Sequence, residues 1–345
     1  LIENVLEPCA TRRQVQERIA RCRVFVGTVA TLSSKTELFR LKTFDVAIVD
    51  EATQILEPQL LGLLCTRNPA GADAIGKFIL IGDHKQLPAV VLQSSEQSEV
   101  CDEALQAIGL YNLKDSLFER LYRNLSKESA NRQASTSHSS SFIPHPSYDM
   151  LCRQGRMNIE VALFPNRAFY GGLLEPVGLP HQQGELTLAP ELCDCEFAGL
   201  LTRRVAFLPA AVAPPAQAIY RQYAAVSGFN PAVTLGVITP YRSQIALIKK
   251  EIAALGIAPL EDILVDTVER FQGSERDVII YSFCVNRAYQ LKFLANMTEE
   301  NGTRIDRKLN VALTRARKQM FMTGVPQLLK LNPIYAELLS VVCHS

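Results

Sequence analysis

Phe44-Asp-Val-Ala-Ile-Val-Asp-Glu-Ala-Thr-Gln54 is a short apolar run that ends in two adjacent carboxylates. A run of this kind reads as a buried strand, and in an open α/β sheet such a strand delivers the residues after it to the C-terminal edge, where ligands bind. Asp50 at that edge can hold Mg²⁺, and Glu51 can orient and deprotonate a water for attack on a γ-phosphate. Taken alone, an Asp-Glu pair also suits the first turn of a helix. A second run, Phe78-Ile-Leu-Ile81, ends the same way, in Gly82-Asp-His-Lys-Gln-Leu-Pro88.

Between the two lies Gly71-Ala-Asp-Ala-Ile-Gly-Lys-Phe78, which meets the phosphate-loop pattern G-x-x-x-x-G-K-[ST] until its last position. That position must supply a hydroxyl to Mg²⁺, and the lysine must open a helix whose amides face phosphate. Phe78 has no hydroxyl, and an apolar strand follows instead of a helix. Lys77 is therefore read as a solvated residue ahead of that strand.

The 345 residues suffice for two domains of ordinary size, and 48% hydrophobic with 21% charged residues fits a globular protein. No apolar run is long enough to span a membrane and no signal-peptide centre is present, so a cytoplasmic or nuclear setting and no membrane partner are expected. The nine cysteines are scattered without a C-x-x-C, which indicates neither a zinc site nor a disulfide framework. A net charge of +1 makes any nucleic-acid groove a local feature.

Further strands are expected at Val24-Phe-Val26, Val205-Ala-Phe-Leu208, Leu235-Gly-Val-Ile238, Ile263-Leu-Val265 and Val278-Ile-Ile-Tyr281, alternating with helical patterns such as Ile245, Ile248, Ile252 and Leu255. Alternation of this kind predicts parallel sheets covered by helices on both faces. The polar stretch from Asn124 to Tyr148, with Ser135-Thr-Ser-His-Ser-Ser-Ser141, reads as a linker or insertion. The expected division is 1–123, a linker over 124–148, and 149–345.

Asp-Glu-Ala-Thr-Gln followed by Gly-Asp-His-Lys-Gln-Leu-Pro resembles motifs II and III of superfamily 1 helicases, in the branch of the Upf1 and Dna2 type enzymes. The second half continues the resemblance in order. Arg153-Gln-Gly-Arg-Met157 is similar to motif IV, with Gly155, Asn158 and Ile159 departing from the family's Q-Y-R-M-H-P. Gly236-Val-Ile-Thr-Pro-Tyr-Arg-Ser-Gln244 resembles the strand and turn that touch the nucleic-acid backbone. Val265 to Asp277 resembles motif V, with two extra residues before Phe-Gln-Gly or a shifted alignment there, and Leu309-Asn-Val-Ala-Leu-Thr-Arg-Ala-Arg317 is similar to motif VI.

The resemblance implies two RecA-like P-loop NTPase domains, the first incomplete, that use ATP and Mg²⁺ and move along single-stranded DNA or RNA. It assigns catalysis to Asp50, Glu51, Gln86, Arg156 and Arg315, with Asp50 on the metal. It assigns ATP contacts to Gly82, Asp83, Gly273 and Glu275, and strand contacts to Thr28, Thr239 and Tyr241 at strand ends. Gln86 fits a sensor of the γ-phosphate. The family's phosphate loop precedes motif II, and nothing in residues 1–43 matches it. The expectation is a chain that begins after the loop, with accessory domains upstream of Leu1 and no hydrolysis by this segment alone.

If motif VI is one helix, Arg315 and Arg317 point about 160° apart, so only one can serve the phosphate. The resemblance selects Arg315, and Arg317 is read as a helix-flank residue. His84 is read as a strand-end imidazole bonded to backbone or to Asp50. Two other functions stay open: a nucleic-acid-binding module with lost ATPase activity, and a P-loop relative serving as an interaction platform.

Overall fold

The computed structural model describes residues 11–134, 147–208, 212–300 and 302–343. The Ser-rich stretch 135–141 lies outside them, and the helix Leu117–Ala134 occupies the first part of the expected linker. The chain falls into two compact units, Leu1–His84 with Pro88–Asp149, and Lys85–Leu87 with Met150–Ser345.

In the first unit, β1 (Phe44–Val49) and β2 (Ile75–Leu80) pair in parallel, with Val46 opposite Lys77 and Ile48 opposite Ile79. Side chains alternate across a strand, so Val49 on one face joins Ala52, Leu60 and Leu117 in a core. That core is closed by α1 (Glu57–Leu64) and α2 (Leu117–Ala134), which a two-pronged Arg120–Glu57 ion pair ties together. The other face is covered only at its start among the described residues, where Phe44 and Ile75 pack with Phe39 of the helix Glu37–Leu41; toward the strand ends Ile48 is 66% and Ile79 39% exposed. Coverage on both faces, expected from the alternation of strands and helices, is thus partial for this sheet among the described residues. Val24–Val26 is not a strand either. Phe25 packs edge-on against Phe44 at 5.3 Å while its two valine neighbours face solvent.

The second unit is a five-stranded parallel sheet of β3 (Val205–Leu208), β4 (Leu235–Ile238), β5 (Leu264–Asp266), β6 (Arg276–Ser282) and β7 (Ala316–Thr323), in the order β3-β7-β6-β4-β5. Here both faces are covered. Ile279 and Tyr281 of β6 join the core against α3 (Ile159–Tyr170), while Val278 and Ile280 turn to the opposite core against α4 (Ala213–Val226) and α5 (Arg242–Ala253). The continuous apolar run of β6 follows from that, because each face of the pleat meets helices.

Motif VI is not a single helix. α6 (Arg307–Leu313) stops where the Thr314 hydroxyl donates back to Asn310 O at 2.8 Å, and the chain enters β7 at Ala316. Arg315 sits in the turn and Arg317 in the strand, so helical rotation does not separate them. Strand pairing decides this boundary, with Ala316 opposite Arg276 and Gln319 opposite Val278.

Asp306, fully buried, caps α6 by accepting from Lys308 N at 3.0 Å and Leu309 N at 3.2 Å, and from Asn296 N at 2.9 Å. Burial pushes its carboxyl above the usual range, and burial together with this carboxylate pushes the Tyr335 phenol well above its own. Tyr335 of α7 (Pro333–Cys343) therefore stays a neutral donor, 2.7 Å from Asp306 Oδ2. Tyr335→Phe strands that oxygen in the core and should destabilise the protein by about 2–3 kcal/mol. Urea unfolding checks this. A loss below about 0.5 kcal/mol would mean the carboxylate finds another donor. No helix among the described residues is long and apolar enough to cross a membrane.

Candidate functional site

In the first unit, the C-terminal ends of β1 and β2 carry Asp50, Glu51, Gly82 and Asp83. The crossing is tight: Ala52 N donates to Ile81 O at 2.8 Å, and a Cβ on Gly82 would lie 2.9 Å from Thr53 Cγ2 and 3.0 Å from its N. Only glycine allows that approach. Glu51 adopts the left-handed conformation, φ 51° and ψ 38°, which costs a non-glycine residue about 1–3 kcal/mol and is found at functional sites. Two contacts hold it there. Its N–H donates to Asp50 Oδ1 at 2.9 Å, and Gln54 Nε2 donates to its Oε2 at 2.7 Å. Both carboxylates are exposed. The His84 ring stacks on Tyr122 at 4.4 Å.

Lys77 lies within β2, exposed and paired in register with Val46. Extended backbone cannot present the curved row of amides that cradles phosphate. Lys77→Ala should leave ATP turnover unchanged, as a steady-state assay of the full-length protein would show; loss of turnover with the fold intact would restore Gly71–Phe78 as a phosphate loop. Thr28 is not at a strand end. It caps the helix Val29–Ser34, its hydroxyl accepting from Thr31 N at 3.1 Å, and it is exposed.

In the second unit, Arg156, Gly273, Glu275, Arg315 and Gln86 gather at the N-terminal edge of β6 and β7. Gly273, at φ 77°, makes the turn ahead of β6. The Arg315 side chain is buried, with Nε donating to Val311 O at 3.1 Å, Nη1 to Ser274 O at 3.4 Å, and Nη2 to Gln86 Oε1 at 3.1 Å and Thr314 Oγ1 at 3.2 Å. Arg156 Nε donates to Glu275 Oε2 at 2.7 Å and Nη1 to Thr314 O at 3.3 Å. Arg317 shares the Glu275 carboxylate, at 3.6 Å from Oε1, and reaches Asp277 Oδ1 at 3.3 Å, away from Gln86. The two pairs with Glu275 are partly exposed, so each contributes about 0–1 kcal/mol and remains free to exchange partners, whereas Asp277 is buried.

Several residues that hold this cluster have no role assigned from the sequence. Gln182, fully buried, donates to Gln154 O at 2.8 Å and accepts from Gly178 N and Leu179 N, both at 3.0 Å. His181 Nε2 lies 2.9 Å from Arg156 O. Asn158, buried where the family pattern has histidine, donates to Gln182 O at 2.8 Å. Asn310 Nδ2 reaches Lys85 O and the Tyr170 hydroxyl, each at 2.9 Å, and so anchors the segment that bears Gln86. Spacing could not reveal these partners because the contacts, apart from those within residues 178–182, join segments 24 to 225 positions apart.

Thr239 and Tyr241 follow β4, at the opposite edge of the sheet. Thr239 is fully buried, with Oγ1 3.2 Å from Cys284 Sγ. Burial pushes the Tyr241 phenol up, and its oxygen has no hydrogen-bond partner among the described residues.

Two family profiles match, each described as an AAA domain, over residues 7–94 and 212–327. The chain is 29% identical over 326 residues to the DNA replication ATP-dependent helicase/nuclease DNA2 of Gallus gallus, covering 92% of the chain and 26% of that protein. It is 26% identical over 341 residues to the DNA polymerase alpha-associated DNA helicase A of Saccharomyces cerevisiae, covering 90% of the chain and 44% of that protein. The chain thus spans less than half the length of these relatives. With both profiles in order along the chain and motifs II to VI in sequence between residues 44 and 317, the chain belongs to the Upf1/Dna2-like branch of the superfamily 1 helicases.

Proposed function

We propose that the protein is an ATP-dependent helicase that hydrolyses ATP with these residues and moves along a single strand of DNA or RNA, in the cytoplasm or the nucleus. The observation that supports it most is the gathering of Arg156, Gly273, Glu275, Arg315 and Gln86, scattered from residue 86 to residue 315, at one sheet edge. Glu51 is the base that takes a proton from the attacking water, and Gln86 orients that water or the γ-phosphate while bonded to Arg315. Arg315 and Arg156 neutralise charge on the transferred phosphoryl group. Arg156 reaches it by exchanging its exposed partner Glu275.

Mg²⁺ suits the acidic end of β1. The ion binds nucleotide through one or two protein carboxylates, and Asp50 keeps Oδ2 for it while Oδ1 accepts from Glu51 N. When bound, the metal supplies charge neutralisation at the phosphates. The triphosphate itself needs a cradle of amides and a lysine, which residues 1–345 do not supply in phosphate-loop form. This segment alone should therefore bind ATP poorly.

For the strand, Thr28 has an exposed hydroxyl that can donate to phosphate without reading sequence once it gives up its 2.9 Å bond to Thr31 Oγ1. In the second unit Tyr241, just after β4, is the other candidate for a strand contact, while Thr239 beside it is fully buried. The test is ATP hydrolysis by the full-length protein with and without single-stranded DNA or RNA over a range of salt. Expected is stimulation by the strand, with log binding falling against log salt by about 0.7 per phosphate contact. Hydrolysis indifferent to the strand, or strand binding without any hydrolysis, would overturn the proposal; the second result would mark a binding module that has lost its ATPase.

A further inference from the structure

A cavity of about 200 Å³ opens in the second unit between α4 and the first residues of β3 and β7. Arg204 lines it and is only 7% exposed. A guanidinium stays charged in any protein setting, and a charge taken from water without an opposite partner is costly. Arg204 nonetheless hydrogen-bonds only neutral carbonyls among the described residues, Lys318 O at 3.3 Å and Gly184 O. Glu160 contributes its field but no hydrogen bond. Arginine has five N–H donors, so these two bonds leave others for a ligand in the cavity that Arg204 lines.

The rest of the lining fits an organic anion better than an inorganic one. Leu186, Leu201 and Val226 are apolar, and Tyr223 adds a buried ring. Lys318 is already committed, 2.9 Å from Asp277 Oδ2 and 5.6 Å from the Tyr223 ring centre. Burial keeps the Tyr223 phenol neutral and thus a hydrogen-bond donor. Glu185, exposed, also lines the cavity and disfavours a multiply charged ligand there. An engineered apolar cavity of about 150 Å³ holds benzene, so this volume admits one ring and a carboxylate.

We propose that this cavity binds a small organic monocarboxylate of about the size of benzoate, its carboxylate on the remaining Arg204 donors and its apolar body against Leu201 and Tyr223. The cavity shares His181, whose Nε2 lies 2.9 Å from Arg156 O, with the cluster above, but none of the residues given a role in ATP hydrolysis. Calorimetric titration of the full-length protein with sodium benzoate tests it, with benzyl alcohol and inorganic phosphate as parallel arms. Expected is a benzoate Kd below about 1 mM, with both other probes at least about tenfold weaker. Arg204→Gln should weaken benzoate at least about tenfold. Because that change also removes two structural hydrogen bonds, Val226→Trp provides a second variant: it fills the cavity from a half-exposed position, keeps Arg204, and should abolish benzoate binding in a protein with the parent's thermal unfolding profile. The proposal fails if the parent does not bind benzoate, if phosphate or benzyl alcohol binds as tightly, or if Val226→Trp leaves the affinity unchanged.

Discussion

Glu51→Gln should leave ATP binding within a few fold of the parent and lower steady-state turnover by at least about a hundredfold, the smallest effect usual for loss of a positioned general base. The substitution is chosen to leave the geometry alone. Gln54 Nε2 donates to Glu51 Oε2 at 2.7 Å, and a glutamine there still offers a carbonyl oxygen to that donor. The left-handed backbone at φ 51° stays equally strained in both proteins, so their stabilities should agree closely. What disappears is the ability to accept a proton. Asp50, bonded to the Glu51 N–H, keeps its carboxylate for Mg²⁺. The measurements are ATP affinity by equilibrium titration and phosphate release in the full-length protein. If phosphate release continues at the parent's rate, the base is another residue and the assignment of Glu51 is wrong.

The second large effect is expected at Arg315. An arginine that stabilises charge on a transferred phosphoryl group is worth about 10³–10⁵ in turnover, and lysine cannot reproduce its planar fork. Arg315→Lys should therefore lower kcat by about a thousandfold or more in the full-length protein. Its guanidinium also donates to Val311 O and Ser274 O, so the variant should lose about 1–3 kcal/mol of stability as well. Arg317→Lys serves as the control. Arg317 meets Glu275 and Asp277 rather than Gln86, and its replacement should change kcat only a few fold. Equal losses at the two positions would mean that both act only by holding the turn between α6 and β7.

Where the sequence was informative, the cause was local. The strands Val205–Leu208 and Leu235–Ile238 stand where their apolar runs placed them, because a strand covered on both faces must be apolar throughout. The pair Asp50-Glu51 follows β1 directly, as the end of the apolar run required. Lys77 was read as preceding its strand, yet β2 begins at Ile75, since polar and glycine residues can continue an edge where pairing with β1 satisfies their backbone. Motif VI misled in a related way. Leu309 to Ala316 has a helical spacing of apolar residues, but Arg317 to Thr323 competes for strand pairing with β6, and the sheet takes the chain from Ala316 onward.

The sequence by itself determined the family, the order of the motifs and the types of residue that can act on a phosphate, because motif spacing and apolar periodicity are written within a few neighbouring residues. Only the tertiary structure decided which side chains meet. Gln86 and Arg315 share a hydrogen bond across 229 positions, and Gln182 reaches Gln154 across 28. It also put Thr239 out of solvent and left Arg204 buried against carbonyls. The physical reason is that burial and long-range hydrogen bonding depend on which elements pack together, and the polarity of one segment carries no record of the segment that will cover it.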